Sequence, residues 1–128
     1  MKLILSWERS IDGPVPRCIS DLVNKDGIDL LACLLTDDGG QSLSDTLPWL
    51  DEGVNRINLV KDASVDIIDW SRDAWGVELT IEQAKIYSLY DDDCFEVLQL
   101  RNFEKALLAW RNFIQLKPEF RSDKTIEI

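Results

Sequence analysis

Hydrophobic positions in the second half of the chain change their spacing. Between Val65 and Leu100 they recur mostly at every second residue, and from Phe103 onward at every third or fourth. The first spacing predicts strands at residues 65–70, 75–80, 84–89 and 95–100, because side chains alternate across a strand. Trp75, Val77, Leu79 and Ile81 then share one face, while Glu78, Thr80 and Glu82 share the other. Such a sheet is covered on one side and wet on the other. The second spacing predicts a long amphipathic helix capped by Asn102, with Phe103, Ala106, Leu107, Trp110, Phe113 and Ile114 as its buried stripe. Pro118 stops it, since proline has no N–H to continue the ladder.

The first half is less regular. A strand is expected at residues 2–7, with Leu3, Leu5 and Trp7 on one face and Ile4 on the other. Gly13, Pro14 and Pro16 make residues 9–17 read as a loop, and a short helix is expected at residues 20–25, stopped by Asp26 and Gly27. Residues 28–36 are apolar on both faces, which fits an inner strand or a buried helix. The turn-forming run Asp37-Asp38-Gly39-Gly40 favours the strand. Leu47, Leu50, Val54, Ile57 and Val60 define a helix over residues 45–60 with Ser44 as its N-cap. Gly53 inside it costs about 1 kcal/mol relative to alanine. Residues 121–128 read as loose, within a possible tail at 119–128. The expected fold is α+β: one domain over residues 1–128, an antiparallel β-meander packed against helices, with a long C-terminal amphipathic helix.

A chain of 128 residues with 45% hydrophobic and 30% charged positions has the makeup of a globular domain. No run of eighteen apolar residues appears, and MKLILSWERS turns charged too early for a signal peptide, so a cytoplasmic protein is expected. Histidine is absent, which removes the commonest general base and metal ligand. Cys18, Cys33 and Cys94 are too far apart for a zinc knuckle or a CxxC pair and suit reduced core thiols. Neither a Gly-rich phosphate loop nor a zinc spacing is present. These features point away from an enzyme, and no cofactor or metal is expected. Asp91-Asp92-Asp93 lacks the alternating oxygens and glycine of a calcium loop and reads as a solvated turn.

Charge is the outstanding term. The chain carries 24 acids against 14 bases, a net −10. Nucleic acid and anionic lipid would repel it; a basic protein would not. Residues 62–96 hold ten acids and two bases, Arg72 and Lys85. The open face of the meander is expected to present some combination of Asp66, Asp69, Asp73, Glu78, Glu82 and Glu96, with Asp91 and Asp92 in a turn. Such a field raises association rates by about 10- to 1,000-fold at low salt. The competing reading is a solvated face whose acids discourage edge-to-edge pairing. Among the aromatics of this region, Trp75 reads as core and Tyr87 as the more exposed candidate for contact, with Trp70 undecided. Trp110 belongs to the helical stripe.

Taken together, WSRDAWGVEL, KIYSLYDDD and FEKALLAWRNFIQL resemble the C-terminal half of small bacterial immunity proteins of contact-dependent growth inhibition and related polymorphic toxin systems. The pattern is meander strands, an acidic turn, then Phe103 and Trp110 followed by Phe113, and it covers about two-fifths of the chain. The resemblance implies a small, acidic, cytoplasmic, non-enzymatic protein that neutralises a cognate toxin domain, in many cases a basic nuclease, by occlusion. Its partner-binding residues would be Asp66, Asp69, Asp73, Glu78, Glu82, Tyr87, Asp91 and Asp92. An acidic interaction or regulatory module without a toxin partner is the alternative. A carboxylate-dependent hydrolase stands third and would require a deep pocket holding two acids.

Overall fold

The computed structural model describes residues 1–128. Its elements are β1 (Lys2–Ser10), β2 (Gly13–Ser20), α1 (Leu30–Leu35), α2 (Leu43–Lys61), β3 (Ile67–Ser71), β4 (Trp75–Thr80), β5 (Gln83–Ser88), β6 (Phe95–Gln99), α3 (Leu100–Phe113) and β7 (Lys124–Glu127). The strands form two antiparallel sheets, ordered β2-β1-β7 and β3-β4-β5-β6. One connected hydrophobic core draws on both sheets and all three helices. The α+β class and the four-stranded meander therefore agree with the pattern in the sequence.

The long C-terminal helix does not form. The longest helix is α2, with 19 residues in mid-chain, and α3 has 14. Past Phe113 the backbone tightens into turns, with Gln115 N–H donating to Asn112 and Leu116 N–H to Phe113. Pro118 then prevents the helix from resuming. At its other end α3 starts directly after β6. Gln99 occupies the N-cap position without a side-chain bond, and Asn102 lies inside the helix rather than capping it. The expected stripe is buried, led by Phe103, Ala106, Leu107 and Trp110.

Other corrections fall in the first half and at the C-terminus. Residues 9–17 are not a loop: β1 and β2 form a hairpin turning at Ile11 and Asp12, in register from Leu3↔Ser20 to Ser10↔Gly13. Gly13 takes φ 114° there. Pro14 and Pro16 are tolerated because even-numbered residues of β2 turn their backbone nitrogens away from β1. Ser20 shows this, donating its N–H outward to Asp29 Oδ2 at 2.6 Å. Residues 20–25 hold no helix. Asn24 instead organises a turn, its Oδ1 accepting from the N–H groups of Asp26 and Ile28.

Residues 28–36 contain a helix, α1, not a strand. Asp29 Oδ1 caps the Ala32 N–H at 3.1 Å, and Leu30, Leu31, Leu34 and Leu35 are all buried. The tail is also ordered, since β7 pairs with β1 and Ile128 is buried.

Helix α2 begins two residues before the expected start, with Ser42 rather than Ser44 as N-cap and its Oγ accepting from the Asp45 N–H at 3.3 Å. It runs antiparallel to α3, tied by the ion pairs Lys61–Glu104 and Asp51–Arg111. Gly53 has a packing reason that propensity does not show. A Cβ there would lie 2.6 Å from Cζ2 of the buried Trp70 indole. Alanine improves intrinsic helix propensity by about 1 kcal/mol, but a rigid buried ring cannot yield cheaply. Gly53→Ala is expected to lower stability by about 1–3 kcal/mol in urea unfolding. Unchanged stability would show that the indole can slide aside.

Candidate interaction face

The register of the four-stranded sheet assigns every side chain to a face. Trp70, Val77 and Ile86 align on the core side and are buried. On the opposite side, Asp69, Glu78, Lys85 and Val97 form one row across the strands. Ser71, Gly76, Tyr87 and Phe95 form the next. The far end of the Tyr87 side chain lies over Gly76, where a Cβ would meet its Cζ at 2.8 Å. A glycine in a strand interior often marks such a close approach. Beside these rows is a shallow depression of about 290 Å³, lined by Glu78, Lys85, Tyr87, Ser88 and Asp92.

The end of the sheet that carries this depression is pinned by carboxylates and loop contacts. Asp37 Oδ2 accepts the backbone N–H groups of Asp73, Ala74 and Trp75 at 3.1, 2.9 and 3.1 Å, which holds the β3–β4 turn. The β5–β6 loop docks on that turn: Leu89 N–H donates to the Ala74 carbonyl, and the Tyr90 hydroxyl to the Asp73 carbonyl at 3.2 Å. Asp91 Oδ1 accepts from the Asp93 N–H, so this carboxylate shapes its own loop. No cluster of His, Cys, Asp or Glu is arranged to hold a metal ion.

The eight residues singled out in the sequence do not form one surface. Asp69, Glu78, Tyr87 and Asp92 come together, and Asp73 and Asp91 lie at the same end of the sheet. Asp66 and Glu82 stand at the opposite end, before β3 and in the β4–β5 turn. Glu96 faces the core side, level with Ile86. Trp70 is core, its Nε1 donating to the Trp49 carbonyl at 3.1 Å, while Trp75 is only half-buried and Ile81 is exposed in a turn.

Two features escaped the sequence reading. Lys85 sits within the acidic row, its Nζ 4.7 Å from the Phe95 ring centroid, so the field is broken by one cation. Apolar side chains share the face: Ile67, Phe95 and Val97 are 54%, 45% and 38% exposed, and Tyr90 at the sheet end is 81% exposed. The odd-numbered positions of β6 carried that signal, since they alternate with buried Leu98.

No family model and no solved structure matches the chain. A UPF0231 protein of Shewanella putrefaciens strain CN-32 is 31% identical over 83 residues, a match that spans 47% of this chain and 67% of the relative. The chain belongs to the UPF0231 family. That family name attaches no activity, so the face of this UPF0231 protein must speak through its chemistry.

Burial and neighbouring charge shift two of the side chains that could react. Burial pushes the Cys18 thiol up to about 12, helped by the neighbouring charge of Asp29, which makes it a core residue and not a nucleophile. Tyr87 is likewise raised above the usual tyrosine range, first by its partial burial and then by the negative charges of Asp69 and Glu78. A raised value means that the neutral phenol is favoured. Its contribution to stability is present below the ordinary tyrosine range and is lost as pH rises through the folded-state value. In a tyrosinate absorbance titration, taken as the difference from Tyr87→Phe, Tyr87 is expected to ionise late. Asp69→Asn should bring it down, and an unmoved titration would separate the two groups.

Proposed function

We propose that the chain is an immunity-type inhibitor that binds a basic toxin domain, in particular a nuclease, through the outer face of its four-stranded sheet. The observation that supports this reading is the convergence of Asp69, Glu78 and Asp92 with Tyr87, Phe95 and Val97 on one exposed face. Nucleases carry Lys and Arg for phosphate contacts, so an acidic surface can occupy the substrate groove or a site beside it. Carboxylates steer the encounter and fix its orientation, while the aromatic and aliphatic side chains supply area to desolvate. Inhibition is then steric and electrostatic, needs no bond-making step and proceeds by one-to-one binding. In this reading the protein works in the cytoplasm, with its three thiols reduced.

The test has two stages. Co-expression with the toxin-bearing region encoded beside this chain should protect cells, and a neighbour that is not toxic would favour a regulatory module instead. With the bound pair in hand, Asp69→Lys, Glu78→Lys and Asp92→Lys together should slow association by about tenfold or more at low salt and flatten its salt dependence. Circular dichroism should be unchanged. An unaltered on-rate would place the docking surface elsewhere.

A further inference from the structure

Two sheets in this fold give four edge strands, and their unpaired backbone groups have different fates. On β2, Pro14 and Pro16 have no N–H to offer and Ser20 gives its own to Asp29. On β3, α2 covers the edge and takes two of its outward carbonyls: Trp49 Nε1 donates to the Ser71 carbonyl at 2.9 Å, and Arg56 donates to the Asp69 carbonyl. β7 is four residues long and carries Lys124 and Glu127, charges that guard an edge. That leaves β6.

The direction of its groups follows from one bond. Ser88 N–H donates to the Cys94 carbonyl, so Glu96 and Leu98 are the β6 residues that exchange bonds with β5. The backbone groups of Phe95 and Val97 therefore point away from the sheet. No neighbouring strand meets them, and only the Val97 N–H has a partner, the Glu96 Oε1 of the preceding residue at 3.1 Å. A groove of about 530 Å³ is lined by Val97, Leu98 and Gln99 together with Met1, Glu82 and Asn102. An incoming strand has both space and unmet hydrogen bonds there.

We propose that β6 is the edge to which an extended, basic segment of the partner adds as a fifth strand of the sheet. The proposal rests on the reading of a basic partner and specifies how it docks. Charge selects the occupant: Asp91, Asp92 and Asp93 precede the strand, Glu96 lies on it and Glu82 lines the groove. A second copy of this chain would bring the same acids against them. The side-chain pattern is also specified. Alternate residues of the added strand stand beside Phe95 and Val97 and should be apolar, while those between them approach Glu96 and should be Lys or Arg. In antiparallel pairing the residues beside Phe95 and Val97 are also those whose N–H groups turn toward β6.

The probe is a capped heptapeptide of alternating Lys and Val, compared with the same peptide N-methylated at each Val. At low salt the unmodified peptide should bind and slow amide exchange at Phe95 and Val97, read by NMR. The N-methylated peptide should bind about tenfold or more weaker, because the loss of two or more backbone hydrogen bonds has that size. Val97→Pro removes an outward N–H but no bond to β5. It should keep the native circular dichroism and weaken the unmodified peptide to a similar extent. Should that variant fail to fold, the peptide pair still decides the matter on the native protein. Equal binding of both peptides without new protection overturns strand addition, and so does no binding by the unmodified peptide. Equal binding that still falls on reversal of Asp69 and Glu78 leaves the acidic docking face standing. Concentration-dependent pairing of β6 with a second copy, without peptide, also overturns the proposal.

Discussion

The burial of a single indole sets the position of the four-stranded sheet. Trp70 projects from β3 into the interior, stacks on Trp49 with ring centroids 4.1 Å apart, and meets Phe103 of α3 edge-on at 6.4 Å. Its N–H is satisfied by the Trp49 carbonyl, and its far edge rests where Gly53 leaves α2 without a side chain. Three elements are located by this one ring. Trp49 in turn donates to the Ser71 carbonyl and lies under the Arg72 guanidinium at 5.0 Å, so the β3 edge is held closed from the helix side. The outer face is therefore presented on a sheet fixed from behind. Such rigidity lowers the ordering cost of binding.

A net charge of −10 overstates what is free to meet a partner. Asp29 is committed to three groups, the Ser20 N–H, the Ser20 hydroxyl and the Ala32 N–H, and so locks β2 to α1. Asp37 is committed to three N–H groups in the β3–β4 turn. Charge-assisted bonds of this kind do the work of caps and turns, and carboxylates suit them because each has several acceptor sites. On the outer face Asp69, Glu78 and Asp92 hold no backbone N–H in this way and are left to meet solvent or a partner. Composition counts both kinds alike.

This difference also explains how much could be read from the chain alone. The meander was legible because alternation along β4 and β5 is a local property, and α2 because its apolar residues repeat over nineteen positions. The hairpin of β1 and β2 was hidden by Pro14 and Pro16, whose acceptability depends on which way a backbone nitrogen points once the register is set. α1 was hidden because six apolar residues do not distinguish strand from helix until Asp29 is seen to cap them. For the candidate face, Glu78 and Tyr87 followed from strand parity and Asp69 from the concentration of acids in residues 62–96. Asp66 and Glu82 lie at the other end of the sheet, and composition cannot say which end of a strand a residue occupies. Val97 was passed over because a lone exposed valine on an edge has no signal until its strand is known to be unpaired.

The pairing of β1 with β7 brings a different consequence. Lys2 lies opposite Glu127 and Leu3 opposite Ile126, so this contact closes more than a hundred residues into one loop. Loop closure grows slowly in cost with length, but contacts this distant in sequence slow folding. During synthesis the four-stranded sheet, α2 and α3 can all be assembled from chain that has already emerged. β1, by contrast, keeps one edge open until residues 124–127 arrive. The three-stranded sheet is thus the part of the molecule that waits, and a truncated chain would carry its exposed edge.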